Sequence, residues 1–415
     1  MNLSRMKEEL TKSQMQKIKH LPENGQDIFS IHKRDKLKTL WYKSSWETME
    51  SMSVPTNRER VTYKSKIYPY HSIHKSVLTT ILPTVNVKED EQVTVSWCED
   101  IFLSMIDNYR LTFNDTELQY GCGKLLYTEK NNIKRNSPKL LFASSVKSTP
   151  ISIEVPFTYS QTQSDAFPLH LCGQNDRLLH LFQYNLTIKN LLVMKDADGY
   201  IIDTDMTKLN IESNYETIPV PELEGLYTTH VGNDGDFISD KNSIFITSAQ
   251  CIEDDNEIQL GKRVKLKIDS LTNYPIEEVV WGAMNTTLTD KYLSCFTTTL
   301  SGATPVKSSK LESRSEVILD SKDSFKTEYV YNSDNYVEGI SRWRNSICDS
   351  DGKKFSPGIV LSGGNLCVNT IDKDDDCKYV VFVILKYTKQ YVFKSYPKTQ
   401  AERLVKGATI ELVSE

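Results

Sequence analysis

The sequence predicts an all-β protein of two domains, and three observations carry that reading. Aromatic residues make up 10% of the 415 positions, with 21 Tyr, and Thr and Val are frequent, a composition that suits sheets better than helices. Short runs with every second residue apolar recur along the chain, each bounded by a polar break of turn length. No fixed short period is present, and each half supplies about eight such runs, the number needed to cover both sheets of a sandwich. A hydrophobic content of 39% is enough for real cores at this length.

The clearest stretch is 264–285. Val264, Leu266 and Ile268 alternate with Lys265 and Lys267, as in a strand with one buried face. Asn273-Tyr274-Pro275 supplies turn chemistry, and Val279-Val280-Trp281 restarts a β-branched and aromatic run. Taken by itself, the stretch reads as an ordinary hairpin.

Charge bounds the function. The net charge of −5 argues against a dedicated nucleic-acid binder, which would usually carry a basic surplus. The surplus that exists is local. Residues 1–45 hold ten Lys or Arg against five Asp or Glu, so the remaining 370 carry −10. Leu3, Met6, Leu10 and Ile18 share one face at helical spacing, which predicts a basic helical arm over 1–45. The eight cysteines are dispersed without a CxxC pair and are expected as free thiols in a reducing compartment. No apolar run reaches the 18–20 residues of a membrane helix, and no signal peptide is apparent, so folding is expected in the cytosol.

Beyond the arm the chain turns to strand. Runs at 61–70, 76–85 and 92–98 precede a short amphipathic helix at 100–107, and 110–121 returns to strand with a turn at Asn114-Asp115. Further β-rich segments follow at 151–171 and 178–194. A first domain is expected over 46–212, a Pro-, Gly- and acid-rich linker over 213–242, and a second domain over 243–415. In the second domain, strands are expected at 243–250, 264–268, 310–320, 324–332 and 356–372. The run 379–395, the most hydrophobic of the chain, is expected as a closing pair of central strands in the core.

Several of these segments carry a resemblance. Asn-Tyr-Pro-Ile-Glu-Glu-Val-Val-Trp at 273–281 is similar to the Asn-His-Pro-Val-Lys-Glu-Leu-Ile-Trp signature of the second jelly roll in major capsid proteins of nucleocytoplasmic large DNA viruses. Tyr274 replaces the family's His, and Glu277 its Lys. Trp97, the 100–107 helix and Leu111-Thr112-Phe113-Asn114-Asp115 resemble a block of the first jelly roll. Pro156-Phe157, Ala166-Phe167-Pro168-Leu169 and Gln183-Tyr184 follow in the family's order, as do Pro357-Gly358, Asn365-Leu366 and Ile371-Asp372. The last interval is longer than the family's, and its Arg is absent.

The resemblance implies an all-β double jelly roll, two tandem eight-stranded rolls behind a short N-terminal helical arm. It also implies a structural role in which homotrimers with neighbouring capsomers tile an icosahedral shell. Minor capsid or penton proteins are the implied partners, with an inner membrane reached through the arm and no specific nucleic acid. The implied location is the virion capsid, assembled in the host cytoplasm. A scaffold or minor capsid protein of the same fold is the nearest alternative.

A different class, a cytosolic carbohydrate-binding or glycan-cleaving β-sandwich, would need aromatic platforms and, for cleavage, paired carboxylates. Glu277 and Glu278 are adjacent on a strand, face opposite ways and cannot be that pair. No nucleophile elbow, Walker loop, dinucleotide fingerprint or zinc-protease helix is present, so no catalytic, cofactor-binding or metal residue is expected and no cofactor is implied. His71 and His74 are three apart on a strand and are expected on opposite faces. Residues 196–205 imitate part of a calcium loop but are expected to be a turn, and Asp374, Asp375 and Asp376 a solvated loop.

Overall fold

The computed structural model describes residues 41–413 apart from 53–59, 99, 162–165, 213–215, 232–241, 269–273, 287–297, 299–300, 302, 314–315, 322–336, 338, 345–346, 349–353, 356–360 and 362. The arm over residues 1–40 and the strand expected at 324–332 lie outside the described residues.

Sixteen strands build the frame. The first eight are β1 (Trp41–Thr48), β2 (Arg60–Lys64), β3 (Ser72–Leu82), β4 (Ile106–Phe113), β5 (Thr116–Cys122), β6 (Thr149–Glu154), β7 (Leu178–Tyr184) and β8 (Glu222–Val231). The second eight are β9 (Ser243–Glu253), β10 (Arg263–Ile268), β11 (Ile276–Asn285), β12 (Val306–Ser313), β13 (Glu316–Ser321), β14 (Ile340–Arg344), β15 (Gly364–Thr370) and β16 (Tyr379–Ser395). Shorter strands extend the sheets.

The strand order repeats. In the first half one sheet runs β1-β8-β3-β6 and the other β2-β7-β4-β5, all antiparallel. The second half gives β9-β16-β11-β14 and β10-β15-β12-β13, the same orders advanced by eight. In each half the first strand pairs with the last, and the second with the seventh. This is the Greek-key wrapping of a jelly roll.

The topology corrects several sequence expectations. The stretch 213–242, expected as a linker, contributes β8, which pairs with β1 and β3 and closes roll 1. β1 itself begins at Trp41, inside the expected arm. Both are the non-local strands of the wrap, and their Pro- and charge-rich flanks hide a pairing that only tertiary contact creates. The helix expected at 100–107 is Ile101–Met105, because Ile106 turns extended to open the ladder to Tyr184. Residues 310–320 hold a hairpin, β12 and β13, in place of one strand.

The hairpin reading of 264–285 is also overturned. β10 pairs with β15 and β11 with β16 and β14, so the two strands lie in opposite sheets. Val264, Leu266 and Ile268 from one side, and Val279, Trp281 and Ala283 from the other, enter a single core. Alternation identifies the buried face of a strand without identifying its neighbour.

β16 shows why its sequence lacks alternation. Tyr379, Val381, Val383, Leu385 and Tyr387 point into the core of roll 2. Phe382 and Ile384 point the other way, into a core shared with roll 1 that Tyr391 and Phe393 join farther along the strand. A strand covered on both faces reads as a continuous apolar run.

Inside roll 1 the core is aromatic. Phe157 packs on Tyr159, Tyr109 and His180 at centroid distances of 5.4, 5.5 and 4.9 Å. His180 is fully buried and lies 2.7 Å from the Tyr159 hydroxyl. Burial pushes its imidazole down to about 3, so it stays neutral. The β4–β5 turn is the Asn114-Asp115 pair expected from the sequence, with Asn114 at φ 51°, a left-handed conformation that Asn tolerates.

Candidate functional site: the seam between the rolls

The two rolls are joined by three sets of contacts. In the first, strands β5 and β9 lie side by side, with the Tyr120 N–H donating to Ser248 Oγ at 3.0 Å and Lys124 Nζ 2.5 Å from Glu253 Oε1. Phe393 of β16 reaches into roll 1 and meets Phe113 and Phe167 at 5.8 and 6.2 Å. The Tyr391 hydroxyl donates to the Glu117 carbonyl at 3.0 Å.

The second set is a buried charge cluster. Glu278 on β11 and Lys386 on β16 are cross-strand partners, and Arg342 on β14 lies opposite Val280. Glu129 comes from roll 1, just after the short helix Gly123–Thr128. Arg342 Nη1 lies 3.1 Å from both Glu129 Oε1 and Glu278 Oε1, and Lys386 Nζ is 2.8 and 2.7 Å from the same two carboxylates. Arg342 also donates to the Thr128 carbonyl at the negative end of that helix.

Two cations and two carboxylates therefore neutralise one another where Arg342 is only 2% exposed. Burial raises the Glu129 carboxyl, and the Lys386 and Arg342 charges more than reverse this, lowering it to about 2. Glu278 is lowered and Lys386 raised by the same mutual charges against burial. An interrupted apolar run, with Lys386 in β16 and Arg342 in β14, was the available sequence signal. Its partner Glu129 lies in a loop and gave none.

The third set is a C-terminal strap. Arg403, at the end of the helix Gln400–Arg403, donates to the carbonyls of Cys172, Ile67, Tyr70 and Leu169 at 3.1, 3.2, 2.9 and 3.0 Å. Asp176 of roll 1 accepts from the N–H groups of Gly173 and Ala408 at 2.7 and 2.8 Å. The strap meets roll 1 mainly through loop backbone, which needs partners when buried.

The residues weighed in the sequence for catalysis or metal binding are placed apart from this seam, except Glu278. His74 Nε2 is hydrogen-bonded to Ser72 Oγ and Thr228 Oγ1 at 2.9 and 3.0 Å, and the His71 carbonyl accepts from the His170 N–H at 2.9 Å. Asp196 accepts from the N–H groups of Asp198 and Tyr200 at 3.0 and 2.8 Å, and Gly199 has φ +85°, so 196–200 is a turn. Asp374, Asp375 and Asp376 engage Ser301, Tyr379 and Lys373 respectively. Among the described residues no group of three His, Cys, Asp or Glu side chains is placed to hold a metal ion.

Two rolls of one strand order in a single chain define a double jelly-roll protein. No family model matches the sequence, and no curated protein matches it. Solved structures do match. VP54 of PBCV-1, fitted into a reconstruction of the virophage Sputnik, superposes with a TM-score of 0.65 at 9% identity, over 92% of this chain and 98% of that one. The Faustovirus major capsid protein gives 0.62 at 8% identity, over 86% and 91%. The mavirus major capsid protein gives 0.51 at 9% identity, over 89% and 90%. These likenesses establish the double jelly-roll fold of this chain.

Proposed function

We propose that the chain is a capsid-building structural protein that assembles as a homotrimer in which six rolls close a ring. The observation that carries this reading is the internal repeat and the faces it leaves over. At the seam the first strand of roll 2, β9, runs along the fifth strand of roll 1, β5. Among the described residues their equivalents, β1 and β13, pack along no strand outside their own sheets to a comparable extent. Repeating the step brings β1 of a second copy against β13, and three copies supply six rolls. Heterologous contacts of this kind form rings when the rotation closes.

Surface chemistry supports the same pairing. Trp46 on β1 is 49% exposed and Val317 on β13 is 51% exposed. The outer face of the β1 sheet carries Glu222, Glu224 and Glu154 against Lys75. The outer face of the β13 sheet carries Arg263, Lys265, Lys267 and Lys310 against Glu312 and Asp320. An acidic face thus meets a basic one, which favours this register over self-pairing of either face.

Charge reversal tests it. K265E/K267E and, separately, E222K/E224K should each lower the trimer fraction in sedimentation roughly tenfold or more, since like charges opposed at an interface cost several kcal/mol. Combining the two pairs should restore trimers. Unchanged trimers in both double variants would remove these faces from the interface.

Within this reading the chain resides in the virion capsid after assembly in the host cytoplasm, and minor capsid or penton proteins cover the lattice contacts that trimers leave. The basic arm faces inward, toward an inner membrane. Each Lys or Arg near an anionic bilayer contributes about 1 kcal/mol, and many arms act together. Deleting 1–40, which spares β1, should leave trimers intact and abolish their retention on phosphatidylserine vesicles. Monomers would instead make the arm a strap between subunits.

A further inference from the structure

The seam holds a feature that its packing does not require. Cys122 ends β5 and Cys251 lies on β9, and the two side chains face each other across the boundary between the rolls. The contact is bracketed on one side by Tyr120–Ser248 and on the other by Lys124–Glu253, so both backbones are held in place. Cys122 is buried, whereas Cys251 is partly exposed and lies 3.7 Å from Glu253 Oε1. None of the six described cysteines is disulfide-bonded.

We infer that Cys122 and Cys251 are a redox-sensitive staple, reduced when the chain folds and bridged by a peroxide-class oxidant to lock roll 1 to roll 2. The Cys122 sulfur attacks one peroxide oxygen. An S–O bond forms as the O–O bond breaks, and water leaves. The Cys251 sulfur then attacks the sulfenic sulfur, forming the S–S bond and releasing a second water. Two thiols have lost two electrons and two protons, and one hydrogen peroxide has become two waters.

Contact with Cys251, and to a smaller extent the ammonium of Lys124, lowers the Cys122 thiol toward the nucleophilic thiolate, while the same contact and burial raise that of Cys251. Proximity makes the second step intramolecular, so the bridge outcompetes further oxidation of Cys122. The two cysteines are 129 positions apart, and the bridge closes a loop long enough to restrict the unfolded chain strongly. Its biological timing rests on the capsid reading. The chain would fold in a reducing cytoplasm, and the staple would close when the shell meets oxidising surroundings.

The test uses the full-length protein treated with hydrogen peroxide, alkylated under denaturing conditions without reductant and mapped by mass spectrometry. The expected result is a Cys122–Cys251 cross-linked peptide, with a thermal midpoint several degrees above that of the dithiothreitol-treated sample. C251S should lose both the peptide and the shift, and C122S should do the same. Cys122 recovered as sulfinic acid with Cys251 alkylated would overturn the staple. So would a cross-link without a shift, or a shift that persists in C251S. Because this readout needs no trimer or shell, its failure is separable from failure of the capsid reading.

Discussion

Trp281→Ala is expected to destabilise the protein by about 3–5 kcal/mol and to deplete soluble assembled material. Trp281 has no exposed surface and is the largest of the fully buried side chains. It stands at the centre of β11, with Val279 and Ala283 on the same face, and packs into the core that also takes Val383, Leu385 and Leu266. An aromatic of this kind removes about 150–250 Å² from water, and no neighbour can collapse into the space between two sheets tied by ladders on each side. Urea denaturation followed by far-UV circular dichroism measures the loss. A variant that unfolds at the wild-type midpoint would refute the two-sheet packing of roll 2.

Removing one partner from the seam's charge cluster should have an effect of similar size. Lys386→Met leaves Glu129 and Glu278 buried with Arg342 as their one fully buried cation, and breaking buried clusters in this way costs about 3–5 kcal/mol. The cluster also fixes a pH dependence. The Glu129 carboxyl sits at about 2 in the folded chain against 4.5 as its ordinary value, so its contribution is fully present above about 4.5 and lost as pH falls toward 2. That loss amounts to about 3 kcal/mol.

His180 acts in the same direction from a higher pH. Its folded value of about 3 lies below 6.5, so the unfolded chain takes up a proton that the folded chain refuses, and stability declines as pH drops below 6.5. Denaturation midpoints should therefore fall in two stages on acidification. Glu129→Gln should flatten the stage below pH 4.5 and leave the upper stage unchanged. A wild-type midpoint constant from pH 7 to 3 would show that neither group is held as described.

What the sequence made legible follows from which interactions are local. The alternation in β10 and the Asn114-Asp115 turn are local properties, and each appears in the fold as read, whereas the apolar run 379–395, expected as a closing pair of strands, is buried as read but forms the single strand β16. Partner choice is a property of two strands. The stretch 264–285 consequently gave the right strands and the wrong neighbours, and β8 stayed hidden among prolines and acids because β1 and β3, far away in the chain, define it. The seam was least legible. Glu278 was weighed as half of a catalytic pair with Glu277, whereas its partners, Arg342 and Lys386, lie 64 and 108 positions away and are shared with Glu129 of roll 1.

The seam also explains why the fold is a pair and not two independent rolls. The β9-β16-β11-β14 sheet is buried on both faces, and its outer face is covered by roll 1. Roll 2 alone would expose Phe382, Ile384, Tyr391 and Phe393, a patch of the sort that drives association. The repeat that covers this face within the chain leaves β1 and β13 for the next copy.

Negative-stain electron microscopy of the purified full-length protein tests that claim most directly. The account predicts particles of three copies, three times the 47.6 kDa chain mass, with a hexagonal outline produced by six rolls. Monodisperse single-copy particles at micromolar concentration would contradict it.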